Sequence, residues 1–111
     1  MAGNTVRKLA GPAYLAASAT NIYNPGTNLY GLVRHIHVAN KTAAAATFTL
    51  YIGLTGGSAG GTELFAAKNV PANDSFDYWC FTKMLAADFL SGLASAGSTL
   101  VITVEGEEGA V

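Results

Sequence analysis

Leu32-Val33-Arg34-His35-Ile36-His37-Val38-Ala39-Asn40, followed by Thr47-Phe48-Thr49-Leu50-Tyr51-Ile52, decides the fold class. Both runs alternate. Ile36 and Val38 fall on one face of the first, with His35 and His37 on the other. Phe48, Leu50 and Ile52 fall on one face of the second, with Thr47, Thr49 and Tyr51 opposite. A period of two marks strands half buried in a sheet, because successive side chains point to opposite faces. The residues between them, Lys41 to Ala46, are short enough to close a hairpin, so the reading expects the two strands side by side.

Working outward, the same signals recur. Tyr14 to Tyr23 reads as strand, because the turn Asn24-Pro25-Gly26-Thr27-Asn28 follows it. Thr62 to Val70, Phe76 to Met84 and Thr99 to Glu105 read as further strands, with Leu100, Ile102 and Val104 alternating in the last. Ala86 to Leu93 fits either a short helix or a turn plus strand. Gly11-Pro12 and Gly56 to Gly61 punctuate the chain. The expectation is a single domain over residues 1–111. Residues 1–10 are an N-terminal arm or a short strand, and 106–111 are a tail. The fold class is all-β: an antiparallel β-sandwich, jelly-roll or Ig-like, with seven or eight strands.

Composition narrows the function. Of the 111 residues, 12% are charged and 50% hydrophobic, with a net charge of −1. That is about half the usual charged share. The six Lys and Arg are scattered, which argues against a nucleic-acid partner. No apolar run is long enough for a membrane-spanning helix, and the N-terminus lacks the pattern of a signal peptide. No membrane partner is expected, and synthesis is expected in a cytoplasm. A surface this poor in charge fits either a neutral exterior reflecting a GC-rich genome or one covered in an assembly, and the reading leans to the second.

Candidate chemistry is sparse. His35 and His37, at i and i+2, put two imidazoles on one strand face, which suits a metal. A cupin-like site would need an acidic residue four or five positions after His37 and a third histidine. Residues 41 and 42 are Lys and Thr, and the chain has two His in all. The expectation is therefore two polar side chains on an outward face, with no metal and no cofactor. The acids are spread over different turns and strands, and no serine sits in a nucleophile elbow. The glycine loop lacks the lysine of a phosphate-binding loop. No catalytic residue is assigned, and the chain is expected not to be an enzyme. Cys80 is single and reads as a small buried hydrophobe. Trp79 and Phe81 share one face of their strand, and Tyr78 and Cys80 share the other. Apolar bulk on both faces implies cover on both sides, either by the second sheet and a loop or by a neighbouring subunit.

Several stretches together carry a resemblance. They are Val33 to Thr42, Ala46 to Gly53, the Gly-Gly-Ser-Ala-Gly-Gly loop, Asn69-Val70-Pro71-Ala72-Asn73 with its aromatic strand, and the closing Thr103-Val104-Glu105-Gly106. In this pattern of hairpin, small-residue loop and Pro-Ala turn, the chain resembles small β-sandwich structural proteins of tailed-phage virions. It looks most like a head decoration (cement) protein, or else a tail accessory subunit. The pattern spans about residues 30 to 106 and departs at Ala87-Asp88, where such proteins often carry Gly-Asp. The resemblance implies a virion location, a homo-oligomer such as a trimer, and the major capsid protein or tail proteins as partners. A carbohydrate-binding adhesion module on the same virion is the alternative. Candidate contacts are Arg7 and Lys8 near the N-terminus, Tyr23 and Tyr30, Lys41 and Thr42 at a strand connection, and Gly57, Ser58 and Gly60 in the loop.

Overall fold

The computed structural model describes residues 4–53 and 63–110. Eight strands follow one another: β1 (Thr5–Tyr14), β2 (Thr20–Tyr23), β3 (Leu29–Asn40), β4 (Ala46–Gly53), β5 (Glu63–Val70), β6 (Ser75–Met84), β7 (Phe89–Ala94) and β8 (Leu100–Ala110). The described residues contain no helix. The strands form two antiparallel four-stranded sheets, ordered β1-β8-β3-β6 and β2-β7-β4-β5. Pairing is nested, β1 with β8, β2 with β7, β3 with β6 and β4 with β5. The contacts β3–β8 and β4–β7 then join the pairs into sheets. This is the order of a long hairpin rolled up on itself, a jelly roll rather than an Ig-like arrangement.

Alternation builds the core as the sequence implies. Ile36 and Val38 of β3, with Ile102 and Val104 of β8, face inward from the first sheet. Phe48 and Leu50 of β4 and Leu90 of β7 meet them from the second, all almost fully buried. Phe48, Phe65, Phe76 and Tyr78 make an edge-to-face cluster that closes one end, with ring centroids 4.9 to 5.9 Å apart. Strict alternation would put Val33 outside with His35 and His37. A bulge at Arg34 prevents this, since Val33 pairs with Gly106 and His35 with Glu105. Val33 and Ile36 therefore both point inward, while Arg34 and His35 both point out.

The expected β3–β4 hairpin does not form. The two strands lie in opposite sheets, and residues 41–45 arch across the core between them. Each strand has its own apolar face, and the arch lets both faces cover the core from opposite sides. Asn40 supplies the hydrogen bonds that a hairpin ladder would have made. Its buried amide donates to the carbonyls of Ala44 (2.9 Å) and Val70 (3.0 Å), and its Oδ1 accepts from the Thr42 amide (2.9 Å).

Strand bounds differ in three other places. The Gly11-Pro12 punctuation does not end a strand: β1 continues through a cis Gly11–Pro12 peptide and a pairing shift, and the strand read over 14–23 shrinks to β2. The segment read as an arm or short strand is part of β1, and the segment read as a tail is the end of β8. Gly106 carries the last strand where a side chain has no room, because a Cβ there would strike the Leu32 carbonyl. The ambiguous 86–93 segment is a turn plus strand. Asp88 closes the turn, its amide donating to the Leu85 carbonyl (3.0 Å) and its carboxylate accepting from the Leu85 amide (2.8 Å).

Candidate functional site

The outer face of the β1-β8-β3-β6 sheet gathers what the sequence scatters. Pairing places His35 opposite Glu105 on one side and Trp79 on the other, and His37 opposite Thr103 and Asp77. His35 Nδ1 lies 3.2 Å from Glu105 Oε1, and its Nε2 lies 2.8 Å from Asp77 Oδ1. His37 Nδ1 lies 2.6 Å from the same Asp77 oxygen. The Trp79 indole stacks on the His35 ring, 3.8 Å between centroids and 8° from parallel. Hydrogen bonds from His37 first, then His35, hold the Asp77 carboxyl below the ordinary aspartate range.

Beside this cluster the face turns apolar. Trp79 is 73% exposed and Phe81 69% exposed, and Val6 on β1 is 79% exposed. The Arg34 guanidinium sits 5.1 Å from the Phe81 ring and also pairs with Glu107 at 2.7 Å. Val6, Lys8, Arg34, His35, Trp79 and Glu105 line an open trough of about 500 Å³ across the sheet. The other face of β6 is covered as expected: Tyr78 and Cys80 pack against the core, and the Cys80 thiol donates to the Val33 carbonyl at 3.3 Å.

The expected absence of a metal set rested on the lack of a carboxylate near the histidines. The fold supplies two from distant strands. Parity along β6 puts Asp77 on the Trp79 side, and parity along β8 puts Glu105 on the same face as Thr103, away from the buried Ile102 and Val104. Which strand lies beside which follows only from the rolled-up topology.

The contact candidates separate. Arg7 is exposed on β1 and pairs with Glu108 (3.1 Å), and Lys8 lines the trough. Tyr23 is buried in the core, its hydroxyl donates to Glu108, and burial raises its pKa well above the ordinary phenol value. Tyr30 is half-buried, donates to Asn4 Oδ1 at 2.7 Å, and has the Lys83 ammonium 5.2 Å from its ring. Lys41 is exposed on the arch, while the Thr42 hydroxyl turns inward, 2.7 Å from Asn40 Oδ1. Gly57, Ser58 and Gly60 lie outside the described residues. Trp79, Phe81 and Val6, the most exposed large apolar side chains of this face, were not among the candidates. The sequence marks Trp79 and Phe81 as able to line a sugar-binding face and as needing cover, not as contacts.

No protein-family model matches this chain, and no curated protein matches it. Among solved structures, it is similar to a pentameric capsid protein from metagenomic phage sequences, found in two crystal structures. One is 20% identical, with 94% of this chain and 60% of that chain covered and a TM-score of 0.35. The other is 19% identical, with 94% and 65% covered and the same TM-score of 0.35. A structure of infectious bursal disease virus, Gx strain, is 9% identical, with 96% and 30% covered and a TM-score of 0.43. The chain spans less than two thirds of each of these proteins.

Proposed function

We propose that this chain is a non-enzymatic structural protein of a phage virion, acting as a decoration (cement) protein on the head. It works by packing the outer face of its β1-β8-β3-β6 sheet against other protein chains, the major capsid protein or its own copies. The observation that carries this reading is the pair Trp79 and Phe81, side by side on β6 and largely uncovered. Large aromatics held on a sheet face, with an arginine across one of them, are the composition of an interface centre. The sheet beneath them is pinned in register by β8 and β3, so the face is rigid before it docks. Low overall charge lets such a face approach another closely, and many weak contacts on one shell add up. The His–Asp cluster lies on this open face rather than in a recess that would enclose a small substrate.

Purified particles from the source phage, analysed by mass spectrometry and traced by electron microscopy, test the reading. Stoichiometric copies on the head, with Trp79 and Phe81 at a protein contact, are the expected result. Particles without this chain overturn it. One observation favours a second reading. His35 stacks on a single face of the Trp79 indole, and Trp79 is 73% exposed, so its other face is open, as a sugar-binding platform requires. Glycan-array signal lost in Trp79→Ala would favour that adhesion role, and silence on the array removes it.

A further inference from the structure

His35 presents a problem of proton count. A neutral imidazole has one N–H and one lone pair, and a carboxylate only accepts. Yet His35 meets a carboxylate oxygen at both nitrogens, Glu105 Oε1 at 3.2 Å and Asp77 Oδ1 at 2.8 Å. If Nδ1–H donates to Glu105, the Nε2 lone pair faces Asp77 Oδ1. His37 Nδ1 crowds the same oxygen at 2.6 Å. A positive species, either a second proton or a metal ion, resolves this geometry.

We infer that it is a metal ion: His35 Nε2, His37 Nδ1 and Asp77 Oδ1 form a three-ligand site for a divalent transition metal of the zinc type. Two imidazoles and a carboxylate are a donor set zinc accepts. Bonds of about 2.0 Å in a tetrahedron put ligand atoms about 3.3 Å apart; the two nitrogen–oxygen spacings here are 2.8 and 2.6 Å, and all three ligand atoms lie within 4.8 Å of one another. Glu105 stands behind His35 on the nitrogen away from the site, the position of the carboxylate that orients a zinc-binding histidine. Trp79, stacked on the ring, fixes its plane. Of the three ligands only Asp77 brings a negative charge, and Glu105, which pairs in register with Lys8 on β1, stands outside the ligand set. His37 and Asp77 are partly open to solvent, which gives the ion an entry and leaves a coordination position for water or a donor from a neighbouring chain.

The test uses the full chain without a histidine tag, stripped with chelator and titrated with zinc chloride by calorimetry. Cobalt absorption spectra serve as a second readout. One zinc per chain is expected. Asp77→Asn and His37→Ala should each weaken it at least ~100-fold, and Glu105→Gln by ~10–100-fold. The cobalt spectrum should show a low-symmetry nitrogen–oxygen site in the wild type that disappears in Asp77→Asn. Asp77→Asn is an isosteric change at an exposed position, and circular dichroism checks that the variant is folded. No stoichiometric uptake by the wild type, or uptake unchanged in Asp77→Asn and His37→Ala, overturns the proposal and leaves a proton in the metal's place. The titration is done on the isolated chain, so its outcome is separate from whether the chain is found on particles.

Discussion

Replacing Trp79 and Phe81 by alanine separates a packing role from a docking role. In the isolated chain each ring makes one notable contact. Trp79 stacks on His35, worth ~0.5–1.5 kcal/mol, and Phe81 receives Arg34, worth ~0.5–1 kcal/mol at an exposed site. The double variant should therefore lose only ~1–2.5 kcal/mol of unfolding free energy. Docking is another matter. An aromatic side chain offers ~150–250 Å² for burial, and 73% of Trp79 and 69% of Phe81 remain uncovered. At ~25 cal/mol per Å² each ring then has ~3–4 kcal/mol left to give on association, the range of an interface hot spot. Losing one ring should weaken association by two to three powers of ten. Urea unfolding followed by far-UV circular dichroism measures the first quantity, and co-sedimentation with particles the second. The chain has one tryptophan, so a blue shift of its emission on docking reports this face directly. A variant that loses more than about 4 kcal/mol of stability yet sediments with particles like the wild type would refute the reasoning.

Three further outcomes test the framework beneath that face. Asn40→Ala should cost about 2–4 kcal/mol in urea unfolding, because it removes the bonds that hold the arch and strands the buried Val70 carbonyl. Gly106→Ala should lower the melting temperature measurably, since its Cβ would meet the Leu32 carbonyl and force β3 and β8 apart, at a cost of ~1–3 kcal/mol. Tyr23 has its pKa raised by burial and then by its bond to Glu108. Its contribution is thus intact below the unfolded value of 10.0 and lost as pH rises beyond it. A stability–pH curve should fall above about pH 10 in the wild type and more gently in Tyr23→Phe.

Parity was the legible part of this chain. Alternation in β3, β4 and β8 named the inward residues Ile36, Val38, Phe48, Leu50, Ile102 and Val104, and all are buried. It was legible because burial on one sheet face leaves a period of two in any single strand. Pairing was not. A five-residue connection rich in small residues closes a hairpin or an arch equally well. The choice was made by Asn40, whose bond to Val70 spans thirty residues of chain. A one-residue bulge at Arg34 brings Val33 inward, where strict alternation would have pointed it out. Gly106 and Gly109 led residues 106–111 to read as a tail, although they mark places where neighbouring groups leave no room for a side chain.

The same limit explains why the functional face was only half visible. That Trp79, Phe81 and Asp77 point one way on β6, and His35 and His37 one way on β3, follows from each strand alone. That the two sets form a single surface follows only when β3 lies between β6 and β8. Once it does, the demand for cover on both sides of β6 acquires a definite address. Tyr78 and Cys80 obtain theirs from the chain's own core. Trp79 and Phe81 lie on the far side of a sheet whose partner sheet covers its other face, and among the described residues both stay largely exposed. Under the proposed function, that face, with two exposed aromatics beside the His–Asp cluster, is the surface that a second protein chain covers.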